Sequence, residues 1–365
     1  MSQRIPEIRQ APRLKTSVPL GTLWLTIPSK SSRLSTAPTS QLEARTAMSE
    51  SDFKPSPSQA REDYHETVLL HESVDALLPT AGKLIVDCTL GGGGHSELVL
   101  NQDATVFGID QDEDAWQFAP KRLAPFGEKF QLLKGNFAEI DTLLAEKGID
   151  QVDGILADLG VSSQHLDAPE RGFSHTHDGP LDMRMDQSAE ISAYHLVNEW
   201  PEEELAKIFW ELGEERLSRK VARNLVKQRA QQPIATTKQL SDIVGQVLPK
   251  KSGKNPATKV FQALRMEVNR ELNVLEALLE KSISLLKPGG RIAIITFHSL
   301  EDRMVKRFFK KHSQKEIDRP EWPAPKPNPE YFFDLVNRKP LEATEEEKSS
   351  NRRSRSAKLR VAQRI

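Results

Sequence analysis

The chain has 365 residues, 37% hydrophobic and 28% charged, enough for one large core or two smaller ones. Its longest apolar run near the N-terminus, VPLGTLWLTI, is about half the ~20 residues of a membrane span, so no transmembrane helix or secretory signal is expected. Cys88 is the only cysteine, which excludes an intrachain disulfide and a cysteine zinc site and fits a reducing compartment, and a net charge of −1 leaves nucleic-acid affinity to local patches.

Residues 1–60 read as a disordered N-terminal extension. Residues 1–47 hold seven Lys/Arg against two acids, among Ser, Thr and Pro and with no sustained helical period. That composition also matches a targeting peptide. A loose tail, or an over-long start with Met48 as the true first residue, is the simpler account. His65, Glu66 and His71 are spaced H-E-x-x-x-x-H rather than H-E-x-x-H, so they do not predict a metal site.

From there the pattern alternates. KLIVDCTL (83–90) predicts a strand, HSELVLNQ (95–102) a helix and ATVFGID (104–110) a second strand. DEDAWQFAPKRLAPFG predicts a broken helix, KFQLLKGNF (129–137) a third strand, AEIDTLLAEKG a helix and VDGILADLG (152–160) a fourth strand. Repeated βα units predict an α/β fold, a parallel Rossmann-like sheet with helices on both faces. From about Leu166 to Leu286 no strand is expected: 201–230, 237–248 and 257–286 are helical patterns, the last with a break. GRIAIITF (290–297) returns to a strand, so the simplest reading is a helical insertion between two strands of one sheet. The expected division is a discontinuous sheet domain at 61–165 and 256–320, an inserted helical domain at 166–255, and an extended basic tail at 321–365. The last fifteen residues carry six Lys/Arg and no acid. With KKSGKNPATK (250–259) they form the expected phosphate-contacting patches, solvated ends being the alternative.

The segment LIVDCTLGGGGHSELVL (84–100) places a strand, four glycines and a helix in succession, the layout of a nucleotide cradle. A dinucleotide fingerprint needs a third glycine for close helix–strand packing, but Ser96 or Glu97 stands there in either register. Asp87, Gly91 and Gly93 instead fill D-x-x-x-G-x-G, which is similar to the first motif of S-adenosylmethionine methyltransferases. That cofactor has no pyrophosphate; its sulfonium amino acid and ribose need close backbone approach, which glycine permits. Asp87 is expected to help balance the positive charge. A ligand-free tight turn is the structural alternative, but four successive glycines cost backbone entropy and rarely serve packing alone. Asp110, 19 residues after Gly91, fits a ribose-binding acid at the end of the second strand, a feature NAD enzymes share. LLKPGGRIAIITF (285–297) is similar to the late part of the methyltransferase fold.

ILADLGVSS (155–163) puts Asp158 at a strand's carboxyl end, beside the cofactor crevice. The amino nitrogen of cytosine or adenine is a poor nucleophile because its lone pair is shared with the ring. An acceptor for the amino protons favours a nitrogen pyramidalised toward the methyl group. Asp158 can serve so, can hold the cofactor, or can be a turn or cap residue. The two prolines and the aromatic of the usual amino-methyltransferase motif are missing after it.

DCTLGGGGHS, DLGVSS, RGFSHTHDGPLDMRMD (171–186), NPATKVFQALRMEVNREL (255–272), FHSLEDRMVKRFFK (297–310) and SRSAKLR (354–360) closely resemble, in order, the family of bacterial enzymes that methylate the 4-amino group of a cytosine in 16S ribosomal RNA. The resemblance spans about Tyr64 to Ile365. It implies a methyltransferase sheet with an inserted helical substrate domain, S-adenosylmethionine as cofactor, the small ribosomal subunit as partner and a cytoplasmic location, with no metal and no membrane. Carried over by motif, the cofactor contacts fall on Gly93, Gly94, His95, Asp110, Phe137 and Asp158, and Asp158 is the expected catalytic residue. A further contact is a glutamine in that family's SSxQLD; SSQHLD here puts His165 at that place, with Gln164 beside it. The usual HxPVLL start is HETVLL. The alternatives are a same-fold enzyme acting on DNA or another RNA, and a non-catalytic RNA-binding or assembly factor. An intact Asp158 and a complete glycine loop argue against the latter.

Other residues carry two readings each. His175 and His177 read as surface or RNA-facing rather than metal ligands. Met183 and Met185 read as core residues around a solvated Arg184, or, from the resemblance, as a loop near the substrate entrance. Asn255 and Arg265 face RNA, or cap and solvate a helix. His298, Ser299 and Asp302 match a hydrolase triad by type only; a helix cap at Ser299 with Asp302 as its box-like acid is expected.

Overall fold

The structure, a computed structural model, describes residues 67–249 and 255–365. The N-terminal extension, His65 with Glu66, and residues 250–254 of the expected basic patch lie outside the described residues. Helix α1 (Leu70–Leu77) leads into β1 (Leu84–Asp87), α2 (Gly94–Asn101), β2 (Thr105–Asp110), α3 (Glu113–Leu123), β3 (Phe130–Lys134), α4 (Ile140–Ala145) and β4 (Val152–Asp158). Each of these four strands falls inside its predicted run. The broken helix is α3, which carries Pro120 and gives way to a 3-10 segment at Ala124–Lys129.

The second half holds α5 (Ser163–Asp167), α6 (Ala193–Glu199), α7 (Glu202–Glu211), α8 (Ser218–Arg229), α9 (Thr237–Gly245), α10 (Thr258–Val268) and α11 (Glu271–Leu285). Then come β5 (Leu286–Thr296), α12 (Ser299–His312), the hairpin β6 (Glu316–Ile317) and β7 (Lys326–Pro327), β8 (Phe333–Leu335), α13 (Glu345–Ser350) and β9 (Lys358–Arg364). Strand β5 begins four residues before its predicted run. The main sheet has the order β3-β2-β1-β4-β5-β9-β8. The first five strands are parallel, and β9 runs antiparallel to both neighbours. The order reverses between β1 and β4, so the crevice beyond their carboxyl ends is the expected ligand site of a doubly wound sheet. One apolar cluster packs around Val86, Ile155, Ile292 and Leu278, another around Ile85, Val106, Leu156 and Ile295. Alternate residues of the same strands serve the two, so the sheet is covered on both faces.

A third apolar cluster forms the helical lobe, with Phe209, Leu225, Leu240 and Leu264 fully buried. It extends past the expected boundary at 255. Val260, Phe261, Ala263 and Leu264 of α10 are buried in it, and the chain leaves the lobe only at Asn269 and Arg270, whose φ of 48° breaks the helical run. The C-terminal residues also differ from expectation. They are not an extended tail, because Leu359, Arg360, Val361 and Ala362 are all buried as β9 takes its place between β5 and β8. Apolar side chains at Leu359 and Val361 supply one face, and Arg360 is paired to Asp302 at 2.8 Å on the other.

Candidate active site

A single cavity opens over the β1–β4 junction. Its wall combines the glycine loop, the ends of β2, β3 and β4, the first turn of α5, and residues from α11, α12 and the C-terminal segment. Gly94, His95, Asp110, Phe137, Asp158 and His165 all line it. Gly93 does not. It is the N-cap of α2 with φ 77°, a left-handed turn that suits glycine, and it aims the loop rather than forming the wall. Gly94 allows close approach: a Cβ there would lie 2.0 Å from Thr67 Oγ1.

Asp87 is also behind the wall. Its carboxylate accepts Ser96 Oγ at 2.7 Å and the backbone N–H of Thr89 at 3.2 Å, tying the strand end to α2. Burial pushes it up to about 6 against those hydrogen bonds. The expectation that Asp87 faces the cofactor's charge is therefore corrected, because its oxygens are turned to the loop it holds. His95 is buried with Nε2 3.2 Å from the Val68 carbonyl, and burial lowers its pKa to about 4, so the ring is neutral.

Asp110 ends β2 with Oδ2 accepting Gly91 N–H at 2.8 Å and Oδ1 accepting Asp112 N–H at 2.9 Å. Burial raises it to about 6. Each oxygen keeps a second lone pair for a ribose hydroxyl. Beside it, Asn136 Nδ2 donates to Gln111 Oε1 at 2.8 Å, and both line the cavity with Phe137. Gln111 and Asn136 are site residues that sequence reasoning missed; the signal was their adjacency to Asp110 and Phe137.

His165 occupies the place of the family's glutamine and does reach the wall. Its Nδ1 accepts Ser162 N–H at 3.2 Å, which leaves the proton on Nε2, and that atom donates to Asp112. Arg171 donates to the same carboxylate at 2.7 Å, and the His165 ring stacks on Phe173 at 4.6 Å. Burial pushes Asp112 up, but the hydrogen bonds of His165 and Arg171 outweigh it and the acid sits at about 2. His165 is thus fixed in orientation by a charged anchor. Gln164 lies off the wall, with a buried Oε1 that accepts no hydrogen bond.

Asp158 closes β4. Its backbone N–H donates to Thr89 Oγ1 at 2.7 Å, while its Oδ1 is shut off from solvent and accepts no hydrogen bond. Burial pushes the acid up to about 7; Arg353 opposes this, and Asp87 and Glu301 add to it. An orphaned buried carboxylate oxygen at the mouth of a glycine cradle is an acceptor waiting for a donor. The residues present therefore fit S-adenosylmethionine: glycine backbone for close approach, Asp110 for a ribose, Phe137 for an apolar ring, and acids for a cation.

The far wall comes from residues that sequence reasoning did not place in the site: Asn269, Glu271, Glu301 and Arg353. Asn269 Oδ1 accepts Met185 N–H at 2.8 Å and its Nδ2 donates to the Met183 carbonyl at 2.8 Å, so the MRMD loop is pinned with Met183 and Met185 inward. Arg184 pairs with Asp182 at 2.7 Å. Arg265 does not face solvent as expected but holds Glu271 bidentately at 2.7 and 2.8 Å. Asn255 does not cap α10, whose N-cap is Ala257; it accepts Ala257 N–H at 2.8 Å in the turn before the helix and meets His175 at 3.2 Å. The α12 cap is shifted by one residue from expectation: His298 is the N-cap and Glu301 its box partner, while Asp302 pairs with Arg360.

Among the described residues, Glu271, His298 and Glu301 are the one trio whose ligand atoms lie within 4.8 Å of one another. Two of the three are held by neighbours, while the buried His298 Nε2 makes no hydrogen bond and lies 3.1 Å from Glu301 Oε1. His298 Nδ1 accepts Glu301 N–H at 3.4 Å, placing the ring proton on Nε2, and Glu271 is held by Arg265.

The MraW methylase family matches residues 62–365. The ribosomal RNA small subunit methyltransferase H of Carboxydothermus hydrogenoformans is 48% identical over 304 residues, covering 82% of this chain and 98% of its own. Proteins of the same name from Fusobacterium nucleatum and Brevibacillus brevis are 46% and 44% identical, each over 83% of this chain and 98% of their own. Matches of that extent, on a chain whose sheet, glycine cradle and strand-end acids have the methyltransferase arrangement, mean that this protein belongs to the MraW methylase family.

Proposed function

We propose that the chain transfers a methyl group from S-adenosylmethionine to the 4-amino group of a cytosine in the 16S RNA of the small ribosomal subunit, in the cytoplasm. The observation that carries this is Asp158 Oδ1, a buried and unpartnered acceptor at the end of β4, between the glycine cradle and the far wall. S-adenosylmethionine, when bound, supplies an electrophilic methyl on a sulfonium. Gly94, His95, Asp110 and Phe137 hold it, with His165 set by Asp112. The target base leaves its stack at a cost of a few kcal/mol and enters the cavity between Asp158 and the Glu271–Glu301 wall. Asp158 accepts a proton of the amino group, which localises the nitrogen lone pair toward the methyl, and takes that proton once the N–C bond has formed. Alignment in a water-poor pocket does the rest.

The helical lobe, from about 166 to 268, holds the RNA. In support, α8 presents Arg219, Lys220, Arg223 and Lys227 as exposed side chains, a row of cations suited to phosphate. Among the described residues no helix is long and apolar enough to cross a membrane. The test is transfer of labelled methyl groups to small subunits lacking the modification, followed by mapping of the modified base. Label on a base other than cytosine, or none on the subunit, overturns the reading.

A further inference from the structure

The segment that leads into the last strand brings an arginine to the cavity that Asp158 lines. Arg353 stands in the 3-10 segment Arg352–Ser356, just before β9. Its placement is over-determined. Asn351 Oδ1 accepts Arg353 N–H at 3.0 Å, Ser354 is fully buried with Oγ donating to the Asn351 carbonyl at 2.9 Å, and β9 then locks into six registered pairs with β5. The guanidinium lies 5.9 Å from the Phe297 ring centroid and donates to the Val161 carbonyl, three residues beyond Asp158. Both Arg353 and Asp158 line the cavity.

We propose that Arg353 is a positioning residue for methyl transfer: it is the counter-charge of Asp158, through which the C-terminal segment completes the site. This rests on the reading of Asp158 as acceptor of the amine proton. Glu301 on α12 and Arg353 line the cavity with Asp158, and Asp87 ends the neighbouring β1; these are the charges that act on Asp158, and among the described residues Arg353 is the one cation of the three. Asp110, His165, Glu271 and the Cys88 thiol share the cavity; Cys88 is pushed well up by burial and then by Asp87, and stays neutral. Two carboxylates beside a buried acid favour its neutral form, which cannot accept a proton. One fixed guanidinium among them opposes this and keeps Asp158 competent near neutral pH. An arginine suits the task because it stays charged throughout and its planar group can lie against Phe297 while holding a backbone carbonyl.

The experiment is the dependence of kcat on pH, at saturating S-adenosylmethionine and saturating unmodified small subunits, for the wild type, Arg353→Gln, Arg353→Lys and Asp158→Asn. Thermal melting first establishes that each variant is folded. Arg353→Gln is expected to move the acid limb up by about one pH unit, about tenfold slower below the limb and near wild type on the alkaline plateau. Arg353→Lys, which keeps the charge, should leave the limb within about half a unit of wild type. An acid limb unmoved in Arg353→Gln, with loss confined to the KM for subunits or spread evenly over pH, overturns the proposal and makes Arg353 an RNA or packing contact. An acid limb that persists in Asp158→Asn has a different result: it removes Asp158 as proton acceptor and so fails the underlying reading, whatever Arg353 does.

Discussion

Thr89 Oγ1 accepts the backbone N–H of Asp158 at 2.7 Å, joining the loop after β1 to the end of β4 across the switch point of the sheet. No strand ladder serves that N–H, so the threonine hydroxyl is its partner. Thr89→Val keeps shape and removes the acceptor, leaving a buried donor unpaired at a cost of about 1–3 kcal/mol. Chemical denaturation should show that loss in Thr89→Val and most of it restored in Thr89→Ser. Equal stability of all three proteins would show that water or a shifted loop satisfies the N–H.

Gly94→Ala forces a methyl group onto Thr67 Oγ1, since the added Cβ has 2.0 Å where van der Waals contact needs about 3.4 Å. Thr67, which lines the same cavity, must swing its hydroxyl away, or the segment before α1 must shift and with it the Val68 carbonyl held at His95. Calorimetry should show S-adenosylmethionine affinity reduced at least about tenfold in a folded protein. The wild type should bind S-adenosylmethionine and its demethylated product but not NAD. Binding of NAD alone would reverse the cofactor assignment.

How far the site could be read from sequence depended on whether its parts are contiguous. The cradle was legible because strand, glycines and helix are adjacent, and Asp110 and Asp158 because each ends an apolar run. Gly93 and Asp87 were assigned the right loop and the wrong surface: spacing places a residue in a motif but does not tell which way it points. The far wall was illegible for a different reason. Glu271, Glu301 and Arg353 reach the cavity from a helix after the lobe, a helix after β5 and a segment near the C-terminus, and only tertiary packing brings them to Asp158. The lobe boundary was misplaced because α10 and α11 share one helical pattern, and the break at Arg270 is a single left-handed residue with no glycine or proline to mark it.

The α8 cations give a test of the lobe. Replacing Lys220 and Lys227, both exposed, by Gln should raise the KM for small subunits and leave kcat little changed. If both meet phosphate, the slope of log affinity against log salt should fall by about 0.7–0.9 for each. A fall in kcat with KM and salt slope unchanged would place the RNA elsewhere and return α8 to a solvated helix.

Asp158, the proposed acceptor of the amine proton, is expected to affect both turnover and the pH dependence of stability. Asp158→Asn removes the charge and keeps an acceptor oxygen, whereas Asp158→Ala removes the acceptor. Turnover at saturating cofactor should fall in both, more in Ala, by about one to two decades for a lost charge-assisted hydrogen bond of roughly 1.5–3 kcal/mol. Recovery of turnover at saturating cofactor would instead make Asp158 a cofactor-holding residue. Stability offers an independent reading in the protein without ligands. The fold holds the Asp158 proton up to about pH 7, against a usual 3.8 in an exposed chain. Between those values the folded state binds more protons than the unfolded state, so this acid's contribution is complete below about 3.8 and is lost as pH rises through about 7. Asp87 and Asp110 shift the same way and are present in both proteins, so they largely cancel from the comparison, Asp87 only in part because its charge acts on Asp158. The Tm of Asp158→Asn minus that of the wild type should therefore climb as pH rises from about 4 to about 7 and level off beyond. A flat difference across that window would show that Asp158 titrates as an ordinary solvated acid, and its part in accepting the amine proton would have to be reassigned.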